Sequence, residues 1–487
     1  MDIENVVKKA VKNRENVYFI GIKGAGTSAL AELLHGAGVR VSGSDTDGVF
    51  YTCAILDALK IPYFEGFDPL HIASKRPDLV IHSAAYAPET NAEMAETLRR
   101  GIPLVKYTDA LGAYSAMFDS SGVAGVHGKS TTTAIAGTLL AAAGLPAKIL
   151  AGSATANFGG RSTITVGDKY FVAETCEYRK HFLKFRPRRV LLTGVESDHQ
   201  DFFPTYESML GAFVEYGENI ESGGELIYCA DDAGARETAD ILRKKRNDIK
   251  YTAYGFGADG FFNIKNSASG NGESVFELSG IPVRWAVRVP GRHTVLNSAG
   301  AIALVKSIAD AEGRRFDGAL VNAISRALRE FSGCKRRSEI IGEAGGILFM
   351  DDYAHHPTAI KTTLAGLKDF YPGRRLVASF MAHTYSRTAA MLSDFARSFE
   401  SADVVFLHRI YASAREVNDG KVSGRLLFEK TRALHGDARY ADDPLDAAGE
   451  LKTVLREGDL FITLGAGDNW KLCDALFDYY SNREAAA

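Results

Sequence analysis

No run in this sequence approaches the roughly 18 consecutive apolar residues that mark a membrane-crossing helix, so no transmembrane segment is expected. The N-terminus, Met1-Asp2-Ile3-Glu4, is acidic and lacks a basic stretch followed by an apolar core. No secretory signal is expected there. Cysteine is scarce: Cys53, Cys176, Cys229, Cys334 and Cys473 lie far apart, with no C-x-x-C pair. An odd, scattered set does not read as a disulfide framework, and a reducing cytoplasm is the expected location. Proline numbers only 13 and the 48 glycines follow no period, which excludes fibrous and low-complexity classes. Charge of one sign is also lacking, with Lys+Arg 57 against Asp+Glu 60 and a formal net charge of -3. That balance gives no sign of a nucleic-acid or membrane-surface partner. What remains is ordinary globular material, 46% hydrophobic and 24% charged over 487 residues. At roughly 100–200 residues per domain it makes about three domains.

The first 120 residues alternate short apolar runs with longer mixed segments. Strands are predicted at Val17–Gly21, Val39–Ser42, Leu79–His82 and Leu104–Tyr107, and helices at Thr27–Ala37 and Ala92–Arg100. Such alternation predicts a parallel sheet with helices on its faces. A second block opens with a strand at Gly122–Val126 and a glycine turn, then a small-residue helix at Thr131–Ala143 and strands at Tyr170–Ala173 and Val190–Thr193. Ser267–Ser274 reads as a hairpin or loop on its edge. A third block begins near Cys334, with strands at Ile347–Met350, Leu376–Phe380, Val404–Leu407 and Leu460–Leu464. The expected class is α/β in three domains: 1–119, 120–333 and 334–487. No tandem repeat is present.

Two glycine turns carry the first chemistry. Gly24-Ala25-Gly26-Thr27-Ser28-Ala29 fits G-x-G-x-x-G/A directly after a strand, where bare backbone and a helix N-terminus favour a diphosphate. Asp45 follows 19 residues after Gly26, where an acid can reach a ribose hydroxyl. A tight strand–helix turn without a ligand would look similar, and the motif does not choose between NAD and a nucleotide sugar. Gly125-Val126-His127-Gly128-Lys129-Ser130, with Thr131-Thr132-Thr133 behind it, is the stronger signal. Backbone N–H groups there can cradle phosphates, Lys129 can reach the β/γ oxygens, and the Ser130 hydroxyl can bind Mg2+. Val123 stands where the strict pattern has its first glycine, so a chance G-K-S loop is the alternative to ATP binding.

Polar clusters follow other strands. Glu174 ends one, and Glu196-Ser197-Asp198-His199 follows another. In an open α/β sheet ligands collect at the carboxyl ends of strands, so Glu174 and His199 are candidates for a divalent cation bridging phosphates. In the third block Asp351-Asp352-Tyr353-Ala354-His355-His356-Pro357 and His383-Thr384-Tyr385-Ser386-Arg387 each follow an apolar strand. Such groups are expensive to bury and point to one cleft. Zinc is set aside: adjacent histidines point apart and no third ligand has zinc-like spacing.

Taken in order, these motifs resemble the Mur ligases over nearly the whole chain, most closely their alanine-adding branch. Gly21–Ser28 and Ser42-Gly43-Ser44-Asp45 are similar to the UDP-binding turn and second-strand signature, and Gly125–Thr133 to the family P-loop. Pro290-Gly291-Arg292-His293-Thr294-Val295-Leu296-Asn297 resembles the stretch that contacts adenine, and Tyr411-Ala412-Ser413-Ala414-Arg415-Glu416 a late motif. Arg336-Arg337-Ser338-Glu339, Asp351–Pro357 and His383–Thr388 resemble the third-domain signatures, and D-D-Y-A-H-H-P is specific to the alanine-adding branch and its near relatives. Val126, Lys23, Cys176-Glu177-Tyr178 and Met381-Ala382 depart from the commonest pattern.

The resemblance implies a Rossmann-like UDP-binding domain, a central P-loop ATPase-type domain and a Rossmann-like C-terminal domain. It implies ATP and Mg2+, and a reaction joining the lactyl carboxylate of UDP-N-acetylmuramate to L-alanine through an acyl phosphate. It implies Gly24, Ala25, Gly26, Thr27, Asp45 and Ser83 for the sugar nucleotide, and Tyr353, His355, His383 and Arg387 for the amino acid. Gly125, His127, Gly128, Lys129, Ser130, Thr131, His293, Asn297, Arg337 and Asp352 fall to ATP, and Ser130, Glu174 and His199 to the metal. The catalytic set is Lys129, Glu174, His199, His355 and Arg387. A monomer or homodimer in the cytoplasm is expected. The competing readings are a recycling-type ligase that adds a preformed peptide, an NAD-dependent oxidoreductase, and a P-loop regulatory ATPase.

Overall fold

Near-continuous apolar runs such as Asn-Val-Tyr-Phe-Ile suit strands covered on both faces of a parallel sheet, and they form them here. The protein, a computed structural model, is described over residues 1–48, 50–200, 202–412 and 420–485. It divides into two compact units. One holds Met1–Val195, Leu210–Tyr254 and Gly300–Ile324; the other holds Glu196–Met209, Gly255–Ala299 and Ser325–Ala487.

The first unit contains β1 (Asn16–Ile20), β2 (Arg40–Asp45), β3 (Tyr63–Glu65), β4 (Leu79–His82) and β5 (Leu104–Lys106). They form an all-parallel sheet in the order β3-β2-β1-β4-β5. The strand order reverses between β1 and β4, the switch point at which such sheets open a crevice. The same unit holds β6 (Asp119–Ala124), β7 (Ala147–Thr155), β8 (Arg161–Thr165), β9 (Tyr170–Glu174), β10 (Arg189–Leu192), β11 (Glu225–Cys229) and β12 (Lys250–Gly255). They lie in the order β12-β11-β10-β6-β9-β7-β8. All pair parallel except β8, which runs antiparallel to β7.

Both glycine-turn helices begin earlier than their apolar patterns predict. One spans Ala25–Gly36 after the cap Gly24, the other Lys129–Ala142 after the cap Gly128. The reason is local. Their first turns carry small and polar residues, so hydrophobic periodicity starts only afterwards.

In the second unit β13 (Phe262–Gly270), β14 (Glu273–Leu278) and β15 (Ile281–Val287) form an antiparallel meander. The Ser267–Ser274 segment is its first hairpin, turning at Asn271-Gly272 with both φ values positive, as a tight two-residue turn requires. The other sheet has β16 (Glu339–Ala344), β17 (Ile347–Asp352), β18 (Arg375–Phe380), β19 (Val404–Leu407), β20 (Ala438–Tyr440) and β21 (Asp459–Leu464). Its order is β16-β17-β21-β18-β19-β20, parallel but for β16. Leu364, Phe380, Phe395, Phe399 and Leu427 fill one of its faces. Among the described residues no helix is long and apolar enough to cross a membrane.

Candidate functional site

The first glycine turn leaves the carboxyl end of β1 beside the end of β4, where the Ser83 N–H donates to Ile20 O at 2.9 Å. Gly24 and Ala25 are exposed, and Gly24 caps the helix without a side-chain hydrogen bond. The turn is held from below by the Thr27 hydroxyl, which donates to Gly21 O (2.6 Å) and Gly24 O (3.0 Å). Gly26 is required by packing, since a Cβ there would lie 2.7 Å from the Tyr107 ring. Asp45 is buried and turned inward. Its carboxylate accepts from the Lys23 N–H (2.6 Å), the Thr46 N–H (2.8 Å) and the Tyr86 hydroxyl (3.3 Å). Its shown work is therefore to brace the turn.

The second turn follows β6, flanked by β9 and β10. Gly125 has φ +136, and a Cβ on it would sit 2.1 Å from Thr193 Oγ1, so only glycine fits there. The Thr193 hydroxyl donates to His127 O at 2.5 Å, closing the loop. Lys129 Nζ donates to Gly125 O (2.5 Å) and Glu177 Oε2 (2.9 Å). Burial pulls this ammonium toward neutrality, but Glu177, Cys176 and Glu174 outweigh it and raise its pKa. Ser130 Oγ donates to Glu174 Oε2 at 2.7 Å. A hydroxyl and a carboxylate side by side are hard oxygen donors of the kind Mg2+ prefers. Glu177 is a partner the sequence reading missed. Its signal was a second acid three residues beyond Glu174 in a segment that departs from the usual pattern.

In the second unit the polar clusters gather at carboxyl ends of parallel strands. The Tyr353 and His355 rings meet edge to face at 5.0 Å between centroids, and His355 and His383 do so at 5.8 Å. The Arg336 and Arg337 guanidiniums lie over the Tyr353 ring at 5.2 and 4.9 Å. Desolvation, then the Arg387 charge, hold the His355 imidazole well below its ordinary pKa, so it is neutral. The Arg387 side chain pairs with Asp198, Nη2 to Oδ1 at 2.8 Å. Asp352 is spent locally: Oδ2 accepts from the Ser338 N–H (2.6 Å) and Oδ1 from the Ala354 N–H (2.7 Å). His293 and Asn297 stand one turn apart on the helix Arg292–Ala311, facing the same way. Of the late motif, Ser413-Ala414-Arg415-Glu416 lies outside the described residues.

Three family models match in succession: "Mur ligase family, catalytic domain" over residues 16–119, "Mur ligase middle domain" over 123–305, and "Mur ligase, glutamate ligase domain" over 336–467. The UDP-N-acetylmuramate–L-alanine ligase of Treponema pallidum (strain Nichols) is 49% identical over 464 residues, 95% of this chain and 96% of that protein. The chain belongs to the Mur ligase family. The corresponding ligase of Borreliella burgdorferi is 37% identical, over 95% of this chain and 98% of its own. Among solved structures, the UDP-N-acetylmuramate-alanine ligase of Thermotoga maritima has the same fold, with TM-score 0.76 at 23% identity, covering 96% of this chain and all (100%) of that one. A murein peptide ligase from Psychrobacter arcticus gives 0.65 at 23% identity, covering 96% and 99%.

Within this Mur ligase the departures from the common pattern have local explanations. Lys23 is buried, its ammonium donating to Thr46 O (2.8 Å) and Gly48 O (3.1 Å) and facing Glu65 at 3.5 Å. It ties the turn after β1 to the segment after β2. The Val126 N–H donates to Gly194 O at 3.0 Å, a backbone bond indifferent to side chain. Met381 and Ala382 are buried at the end of β18.

Proposed function

We infer that this Mur ligase forms the amide between the lactyl carboxylate of UDP-N-acetylmuramate and L-alanine, with ATP cleaved to ADP and phosphate. The observation that carries this reading is the 49% identity over 95% of the chain to a ligase of that name. The phosphate loop and the cationic cluster after β17 and β18 are the parts the chemistry needs. A carboxylate resists attack by an amine until its oxygen is phosphorylated, and the acyl phosphate then loses phosphate as the amide forms. In such transfers positioning and charge neutralisation supply most of the catalysis.

The residue roles are assigned as follows. Gly125, His127, Gly128, Ser130 and Thr131 cradle the ATP phosphates by backbone, and Lys129 offsets charge on the moving phosphoryl group. Ser130 and Glu174 hold Mg2+, whose charge when bound offsets that of the phosphates. His199 is retained as a further metal ligand, and His293, Asn297, Arg337 and Asp352 for ATP, on the resemblance. Gly24–Thr27, Asp45 and Ser83 serve the sugar nucleotide, Asp45 by shaping the turn. Arg387 receives the alanine carboxylate, with Tyr353, His355 and His383 shaping the pocket around it. Three domains, 1–119, 120–333 and 334–487, a cytoplasmic setting and a monomer or homodimer complete the proposal.

Phosphate release measured with each substrate omitted in turn is the test. Release should require both UDP-N-acetylmuramate and alanine; release with a tripeptide in place of alanine would reassign the enzyme to the recycling branch. Lys23→Met should weaken UDP-N-acetylmuramate about tenfold by titration calorimetry. It removes two hydrogen bonds of about 0.5–1.5 kcal/mol each that tether the turn. An unchanged Kd would leave Lys23 without a part in binding.

A further inference from the structure

The buried ion pair between Arg387 and Asp198 lies within the second unit, 6% and 4% exposed. Arg387 Nε and Nη2 both donate to the same carboxylate oxygen, Oδ1, at 3.1 and 2.8 Å. That oxygen also accepts the His199 N–H at 2.7 Å. Nη1 of the same guanidinium is buried and makes no hydrogen bond among the described residues. The backbone is unusual at both ends of the pair. His199 has φ +52, and Thr384, β-branched and three residues before Arg387, has φ +71. Non-glycine residues persist there only when the surroundings over-determine them.

A buried donor without an acceptor is costly in a free protein and is relieved when an acceptor arrives. A second carboxylate cannot approach the Nε edge, because Asp198 already stands there with the same charge. The acceptor must therefore come to Nη1.

We propose that Asp198 is the positioning residue of the amino-acid site, holding the Nε edge of Arg387 so that the opposite end, which carries the unpartnered Nη1, meets the substrate α-carboxylate. This rests on Arg387 being the amino-acid anchor. Asp198 touches no substrate atom. It fixes the guanidinium plane and, by its charge, confines an amino-acid carboxylate to the remaining edge. Recognition is then end-on, at Nη1 and the second N–H of Nη2, where an unpaired arginine would also offer its Nε edge.

The test is steady-state kinetics of the full chain carrying Asp198→Asn, Asp198→Glu and Arg387→Ala, with alanine, ATP, UDP-N-acetylmuramate and Mg2+ varied separately. Asp198→Asn keeps the shape and removes the charge, so the alanine KM should rise about tenfold, the loss of one charge-assisted contact. The KM values for the other two substrates and the Mg2+ concentration for half activity should stay within about twofold. Asp198→Glu restores the charge one methylene too far out, and its alanine KM should fall between wild type and Asp198→Asn. If Asp198→Asn does not fold, Asp198→Glu decides alone, a raised alanine KM supporting the proposal and an unchanged one ending it. A normal alanine KM in Asp198→Asn beside a raised one in Arg387→Ala overturns the positioning role and leaves the anchor standing. A change confined to the Mg2+ requirement also overturns it, by placing Asp198 with the metal. An unchanged alanine KM in Arg387→Ala removes the anchor and this proposal together.

Discussion

Lys129→Ala should abolish alanine-dependent phosphate release while leaving UDP-N-acetylmuramate binding intact. The ammonium is held against Gly125 O and Glu177, and its raised pKa keeps it charged. A fixed positive charge beside the phosphate loop stabilises the transferring phosphoryl group more than the ground state. Losing one preorganised donor of that kind costs on the order of 100- to 1,000-fold in kcat, about 2.7–4 kcal/mol. The sugar nucleotide is assigned to the turn after β1, on the other sheet of the unit, so its affinity should not follow. Single-turnover phosphate release alongside calorimetric titration of the sugar nucleotide makes the comparison. Because Glu177 is 3% exposed at its side chain, removal of its partner leaves a buried charge. A circular dichroism melt must accompany the kinetics. Near-native turnover would remove Lys129 from the mechanism.

Arg387→Ala should produce two separable losses. The first is functional: a hydrogen bond to a charged group contributes about 1.5–3 kcal/mol. The alanine KM should therefore rise roughly 10- to 150-fold, at about 1.4 kcal/mol per tenfold, with the ATP KM far less affected. The second is structural and follows from the ion pair, whose side chains are 7% and 5% exposed. Removing one partner of a buried pair leaves the other uncompensated and costs about 3–5 kcal/mol of stability. Burial pushes the Asp198 carboxyl up, but the Arg387 guanidinium beside it outweighs burial and holds it well below the usual carboxylate range. Urea denaturation of Arg387→Ala and of the double variant Arg387→Met/Asp198→Asn separates the two. The double variant should recover most of the stability and none of the alanine affinity. Equal stability in the single variant and wild type would show that the pair is not energetically coupled.

Much of the fold was legible because its signals are local. The apolar run of β1, the glycines after it, and the small-residue helix after β6 each state their structure within ten or so residues, through backbone freedom and side-chain periodicity. Gly125 shows this: the loop conformation at φ +136 excludes other residues, so the glycine marks the turn in the sequence itself. The edge strand β8, Arg-Ser-Thr-Ile-Thr, was not legible. It is mixed in polarity and is a strand only because β7 lies beside it.

The site divides in the same way. Lys129, Ser130 and the acids and histidines after each strand could be picked out as candidates, because phosphate and carboxylate chemistry restricts which residue types serve. Which acid faces which base could not. Lys129 takes Glu177, 48 positions away, and Arg387 takes Asp198, 189 positions away. What Asp45 and Asp352 touch was not legible either: Asp45 accepts the Lys23 N–H, 22 positions away, and Asp352 the Ser338 N–H, 14 positions away. Most strands, the two glycine turns and the inventory of polar side chains at strand ends came from the sequence, since those rest on neighbours along the chain. Only the tertiary structure decided their pairing and spare hydrogen-bonding capacity, because burial and the direction of a side chain are set by residues far away in the chain.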